Sequence, residues 1–85
     1  MPTKSVVVGS AVGLHARPAQ LIAEAAEELG TEVLIGLPGD EPVDASSSLL
    51  IMTLGAGNGV TVEVSGEDQA AVDTIASLVE KDLDA

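Results

Sequence analysis

Eighty-five residues suffice for one domain with a modest core, and a formal net charge of −11, from 14 acidic and 3 basic side chains, argues against nucleic acid and anionic membrane surfaces as partners. With no aromatic residue there is no ring for base stacking, and the core must be built from Val, Leu, Ile, Ala and Met. With no cysteine and a single histidine there is no disulfide, no thiolate ligand and no typical zinc site, so no metal and no cofactor are expected.

Met1-Pro2-Thr3-Lys4 leads straight into a β-branched segment, Ser5 to Val8, read as a strand; no secretory leader and a cytoplasmic location are the expectation. Gly9 to Gly13 is a loop. From Ala16 the apolar positions Pro18, Leu21, Ile22, Ala25, Ala26 and Leu29 recur at helical steps, with Gln20, Glu24, Glu27 and Glu28 on the other face. Pro18 falls in the first turn, where a missing N–H costs little, and Gly30 stops the helix. Thr31 to Leu37 reads as a second strand, Pro38 to Pro42 as a turn, and Val43 as part of a short third strand. Ser46-Ser47-Ser48 caps a short helix over Leu49 to Leu54, ended by Gly55. Its apolar run, near Leu49 to Met52, is far too short to span a membrane. Gly55 to Gly59 is a turn, and Val60 to Val64 alternates as a half-buried strand. Ser65 and Asp68 are spaced like a capping box before a last helix striped by Val72, Ile75, Leu78, Val79 and Leu83; Asp82 and Asp84 sit at its unfavourable end. The order is β-α-β-β-α-β-α over one domain, residues 1–85, and one sheet with helices on one face is the economical packing.

Chemistry concentrates in Gly13-Leu14-His15-Ala16-Arg17-Pro18-Ala19. His15 is the only histidine, Arg17 the only arginine, and both stand at the mouth of the first helix. Unpaired N–H groups and the positive end of the helix dipole favour an anion there, phosphate included. A histidine so placed can hold a phosphoryl group on a ring nitrogen while Arg17 and the helix end, beginning at Ala16, neutralise its oxygens. No serine or carboxylate is placed beside His15 by sequence to complete a hydrolytic triad. A carrier with a covalent phosphohistidine intermediate therefore fits better than a stand-alone catalyst.

This segment resembles the HPr family, the histidine-containing phosphocarriers of the phosphoenolpyruvate-dependent sugar phosphotransferase system. The resemblance extends over the whole chain, through Ser47 at the start of a short helix, the Met52-Thr53-Leu54-Gly55 segment, and the helix after Gly66-Glu67-Asp68. It implies an α+β open-faced β-sandwich, a four-stranded antiparallel sheet covered on one face by three helices. It implies phosphorylation of His15 at Nδ1 by phosphorylated enzyme I and transfer to the IIA component of sugar transporters, with Arg17 binding the phosphoryl group. Ser47 matches the position of a regulatory phosphorylation site. The family commonly has lysine before that serine and Ile-Met-Gly after it, whereas Ser46 and Ser48-Leu49-Leu50 flank it here. Ser46 or Ser47 serves equally as a helix cap. Glu24 and Glu27 stand where several family members carry lysines, so a docking mode relying on a basic rim does not carry over. Docking is expected to be mainly apolar, through Gln20, Ser48, Leu49 and Met52; Leu49 and Met52 are equally candidates for the core. A monomer is expected.

Other classes remain open on the residues. Relatives within the same fold serve regulatory or dihydroxyacetone-kinase phosphorelays. A non-catalytic small-ligand regulatory module would make His15 structural. An acyl carrier protein is also small and acidic, and Ser48-Leu49 matches part of its Asp-Ser-Leu motif, but that family is all-helical. Which sugar or IIA component is served is not written in the sequence.

Overall fold

The computed structural model describes residues 2–81. Its elements are β1 (Thr3–Val7), α1 (Ala16–Leu29), β2 (Val33–Gly36), β3 (Val43–Asp44), α2 (Ser48–Thr53), β4 (Thr61–Gly66) and α3 (Gln69–Glu80). The four strands form one antiparallel sheet in the order β1-β4-β2-β3. β4 is therefore central although it is last in sequence. Strict alternation suits it to that place: Val62, Val64 and Gly66 point to the core, while Thr61, Glu63 and Ser65 face away. The register sets Val6 against Val62 and Ile35 against Val64, so β-branched side chains from three strands meet in one layer.

The helices close that layer from one side. α3 lies over β1, β4 and β2, and α1 packs against both α2 and α3. Ile22, Ile51 and Ile75, one from each helix, are fully buried together with Ile35 of the sheet. Ala19, Ala23 and Ala26 of α1 and Ala71 and Ala76 of α3 are buried too, and their small side chains let the helices approach without rings to fill the space. Each fully buried Val or Ile contributes about 1.5–3 kcal/mol relative to exposure.

The ends of the elements follow local chemistry, with some departures from expectation. Gly30 ends α1 in the left-handed conformation at φ 69°, its N–H bonded to the Glu27 carbonyl. The second strand is shorter than the span 31–37, and Leu54 is a cap residue of α2 rather than a helical one. The Ser65–Asp68 capping box does not form. Ser65 is taken into the sheet between Thr3 and Leu34, and Asp68 is itself the N-cap, its Oδ1 accepting from the Ala70 N–H at 3.0 Å. Leu21 and Leu29 are exposed, not core: Pro18, Ala19, Ile22, Ala23 and Ala26 fill the inward arc of α1, and both leucines fall outside it. Leu83, Asp82 and Asp84 lie outside the described residues.

Candidate functional site

Three chain segments converge beneath the start of α1. The loop after β1 is tied to the loop before β4: Val8 N–H donates to Val60 O at 2.9 Å, Gly59 N–H to Val8 O at 3.0 Å, and Asn58 Nδ2 to Ser10 O at 3.2 Å. The end of α3 joins them, with Val79 O accepting from Gly9 N–H at 3.1 Å and Lys81 O from the Ser10 hydroxyl at 3.4 Å. Gly13 then turns the chain toward the helix at φ +81°. A Cβ there would stand 2.5 Å from Ala56 O, so both the conformation and the close approach require glycine. Leu14 plugs into the core, its N–H bonded to Ala56 O at 2.8 Å. His15 follows and is exposed.

His15 is the N-cap of α1, with extended backbone at φ −88° and ψ −162°. Its carbonyl opens the helical ladder by accepting from Ala19 N–H at 2.9 Å, while its ring makes no capping bond and is exposed. Pro18 has no N–H. The N–H groups of Ala16 and Arg17 are therefore the first-turn donors that the ladder leaves over. No acidic side chain occupies that first turn to offset the positive end of the dipole. The guanidinium of Arg17, exposed at the second helical position, adds a cation. An imidazole, two backbone donors and a guanidinium at one helix mouth can together bind a dianionic group.

An open depression of about 300 Å³ lies beside the ring, lined by Val12, Leu14, His15, Met52, Ala56 and the flanking glycines Gly55 and Gly57. The structure thus brings Met52 to His15. Met52 is half-buried and packs against the core while also lining this depression. Leu49 is 72% exposed and belongs to no core cluster, and Leu50 is exposed beside it. Gln20 and Ser48 do not line the depression; Gln20 is exposed on α1 and donates to Glu24 Oε2 at 3.4 Å, and Ser48 is half-buried at the first position of α2. Ser47 is the N-cap of α2, its Oγ accepting from the Leu50 N–H at 3.3 Å. Ser46 does not cap: its N–H and hydroxyl both donate to Asp44 Oδ1, at 2.9 and 2.7 Å, and these bonds hold the Asp44 carboxyl below its usual value. Sequence reasoning missed Val12, Ala56 and Gly57. The paired glycine-rich segments, 9–13 and 55–59, were the available signal of a close backbone approach.

A second depression, lined by Glu27, Glu32, Asp44 and Ser46 among others, lies at the far end of α1, away from His15. Among the described residues no helix is long and apolar enough to cross a membrane.

Comparison with known proteins places these features in context. A family model described as the PTS HPr component phosphorylation site matches residues 2–81. The chain is 37% identical over 87 residues to a phosphocarrier protein HPr of Streptomyces coelicolor, covering 99% of this chain and 94% of that one. It is 34% identical over 84 residues to a phosphocarrier protein NPr of Shewanella violacea, covering 95% and 91%. Among solved structures, HPr-C-His from Thermoanaerobacter tengcongensis superposes with a TM-score of 0.87 at 27% identity, covering 100% of this chain and 98% of that one. A phosphocarrier protein HPr from Bacillus anthracis superposes at 0.78 with 33% identity, covering 92% and 95%.

Proposed function

The chain belongs to the HPr family of phosphocarriers, and from that premise we propose that it accepts a phosphoryl group on His15 from phosphorylated enzyme I and passes it to the IIA component of sugar transporters, in the cytoplasm. The observation that carries this reading is the placement of the sole histidine as N-cap of α1, its exposed ring uninvolved in capping and Arg17 two residues on. In the forward step the lone pair of Nδ1 attacks phosphorus, the nitrogen–phosphorus bond forms, and the bond from phosphorus to the donor breaks, its electron pair leaving with the donor. The reverse geometry serves the acceptor. The N–H groups of Ala16 and Arg17 and the Arg17 guanidinium hold the phosphoryl oxygens in both states, which steadies charge without requiring a general base.

Incubation with phosphoenolpyruvate and enzyme I, followed by intact-mass measurement, is the test. One added phosphate is expected, labile in acid and stable in base, and absent from His15→Ala. Persistent labelling of that variant sinks the assignment. The likeness to an NPr supports a second reading, the same carrier chemistry with a different acceptor, in a regulatory rather than a sugar-transport relay. Which acceptor takes the label from the phosphorylated chain separates the two.

A further inference from the structure

The turn that leads to His15 is held by a side chain from a distant part of the sequence. Ser10 to Gly13 closes with the Gly13 N–H donating to Ser10 O at 2.9 Å. Ala11 and Val12, between them, are exposed, so the core does not grip the outside of the turn. The Ser10 carbonyl also accepts from Asn58 Nδ2 at 3.2 Å, and the Gly9 carbonyl accepts from the same nitrogen at 3.4 Å. A side-chain amide nitrogen carries two hydrogens, one for each carbonyl; because carbonyls only accept, Nδ2 and not Oδ1 must face them. Asn58 is itself fixed by its neighbours. It sits in a turn closed by Val60 N–H to Gly57 O at 3.1 Å, with Gly59 at φ +85° and the Gly59 N–H bonded to Val8 O at 3.0 Å. Asn58 does not line the depression beside the ring, so it acts on the site only through the turn.

We propose that Asn58 is a positioning residue for phosphoryl transfer, holding the Ser10–Gly13 turn so that the His15 ring and the N–H groups of Ala16 and Arg17 stand where phosphorus arrives. This rests on the reading of the chain as a phosphocarrier. Leu14, buried and bonded to Ala56 O, fixes one point on the path into α1. One point does not set a direction. The Ser10 carbonyl, pinned by Asn58 and bonded to Gly13, supplies the second, and the two together set the line along which the chain enters the helix. Attack by a ring nitrogen is sensitive to that line: a misplacement of about 1 Å costs on the order of 100-fold in rate. Release of the clamp removes no group that touches phosphorus or a partner. It therefore acts on the rate within the complex and not on association.

The test compares the parent with Asn58→Ala, which removes the donors without adding charge, Asn58→Gln, which keeps the amide on a longer arm, and Asp68→Ala. The last removes the cap of α3, about 16 Å along the axis from Val79, where that helix meets Gly9. Rapid-quench labelling by phosphorylated enzyme I across a range of carrier concentrations reads kcat and KM. Asn58→Ala is expected to lower kcat roughly 3–30-fold with KM within about twofold of the parent, and Asn58→Gln to recover part of the loss. Asp68→Ala is expected to keep the parental kcat although its Tm falls, which separates positioning from stability. Nuclear magnetic resonance supplies an arm independent of the reaction. In Asn58→Ala the His15 ring resonances should move and the Gly13 amide exchange faster, with the Leu14 amide as protected as in the parent. A labelled parent with parental kcat in Asn58→Ala, a loss confined to KM, no recovery in Asn58→Gln, an equal loss in Asp68→Ala, or unmoved ring resonances overturns the proposal and keeps the carrier reading. A parent that takes no label sinks the carrier reading; the resonance arm alone then decides whether Asn58 positions His15, moved resonances with faster Gly13 exchange upholding it and any other result overturning it.

Discussion

Arg17 combines three properties at one residue: a fixed cation, a first-turn N–H, and a place beyond the reach of the core. Its side chain is exposed, so its removal should not disturb packing. A charge-assisted hydrogen bond contributes about 1.5–3 kcal/mol, and Arg17→Ala should therefore slow phosphoryl transfer roughly 10–100-fold. Circular dichroism and thermal denaturation should match the parent. Arg17→Lys should recover only part of the rate, because an ammonium cannot present the planar fork of a guanidinium. Stopped-flow transfer from enzyme I measures both, and parental rates in Arg17→Ala would remove the residue from the site. His15 and Arg17 were legible in the sequence because their types are unique in the chain and both carry chemistry. Leu21 was misread because helical spacing alone does not say how wide the buried arc is; alanines on its flanks narrowed it.

At the scale of the element, α2 depends on its cap. It has six residues, of which only Ile51 is buried, and the Ser47 hydroxyl satisfies one of its leading N–H groups. Ser47→Ala should lower stability by about 0.5–2 kcal/mol, read as a fall in Tm. Ser47→Asp should hold Tm near the parental value, since aspartate caps as well as serine, yet slow transfer from enzyme I by placing a charge beside Leu49 and Leu50. Unchanged transfer in the aspartate variant would separate this helix start from docking. Caps show how local signals compete. Ser47 was readable as a cap because no strand claims it. Ser65 was not, because the same residue completes two ladders of the sheet, and a side-chain cap cannot outweigh them. The element order itself was plain from glycine and proline punctuation at Gly30, Pro38 and Gly55.

For the molecule as a whole, 14 acids against 3 bases leave the folded state self-repelling. The ion pair of Lys4 with Asp73, at 3.8 Å, is half-exposed and offsets little of that repulsion. Sodium chloride up to physiological strength and beyond should therefore raise Tm, as followed by calorimetry; a fall would show that the charges are already balanced locally. The sheet order and the loop pairing under His15 were the parts hidden from the sequence, since Leu14 meets Ala56 only after β4 inserts between β1 and β2. That pairing has a consequence for solvent exchange. The ends of β1, β4 and α3 are laced together immediately before His15, so the Leu14 amide can trade its proton for deuterium only when much of the molecule opens at once. The amides of Ala16 and Arg17, two and three residues on, should exchange within the shortest labelling times. Phosphorylation of His15 should slow those two and leave Leu14 unchanged, which makes this short stretch of backbone its own internal clock for whether the carrier is loaded.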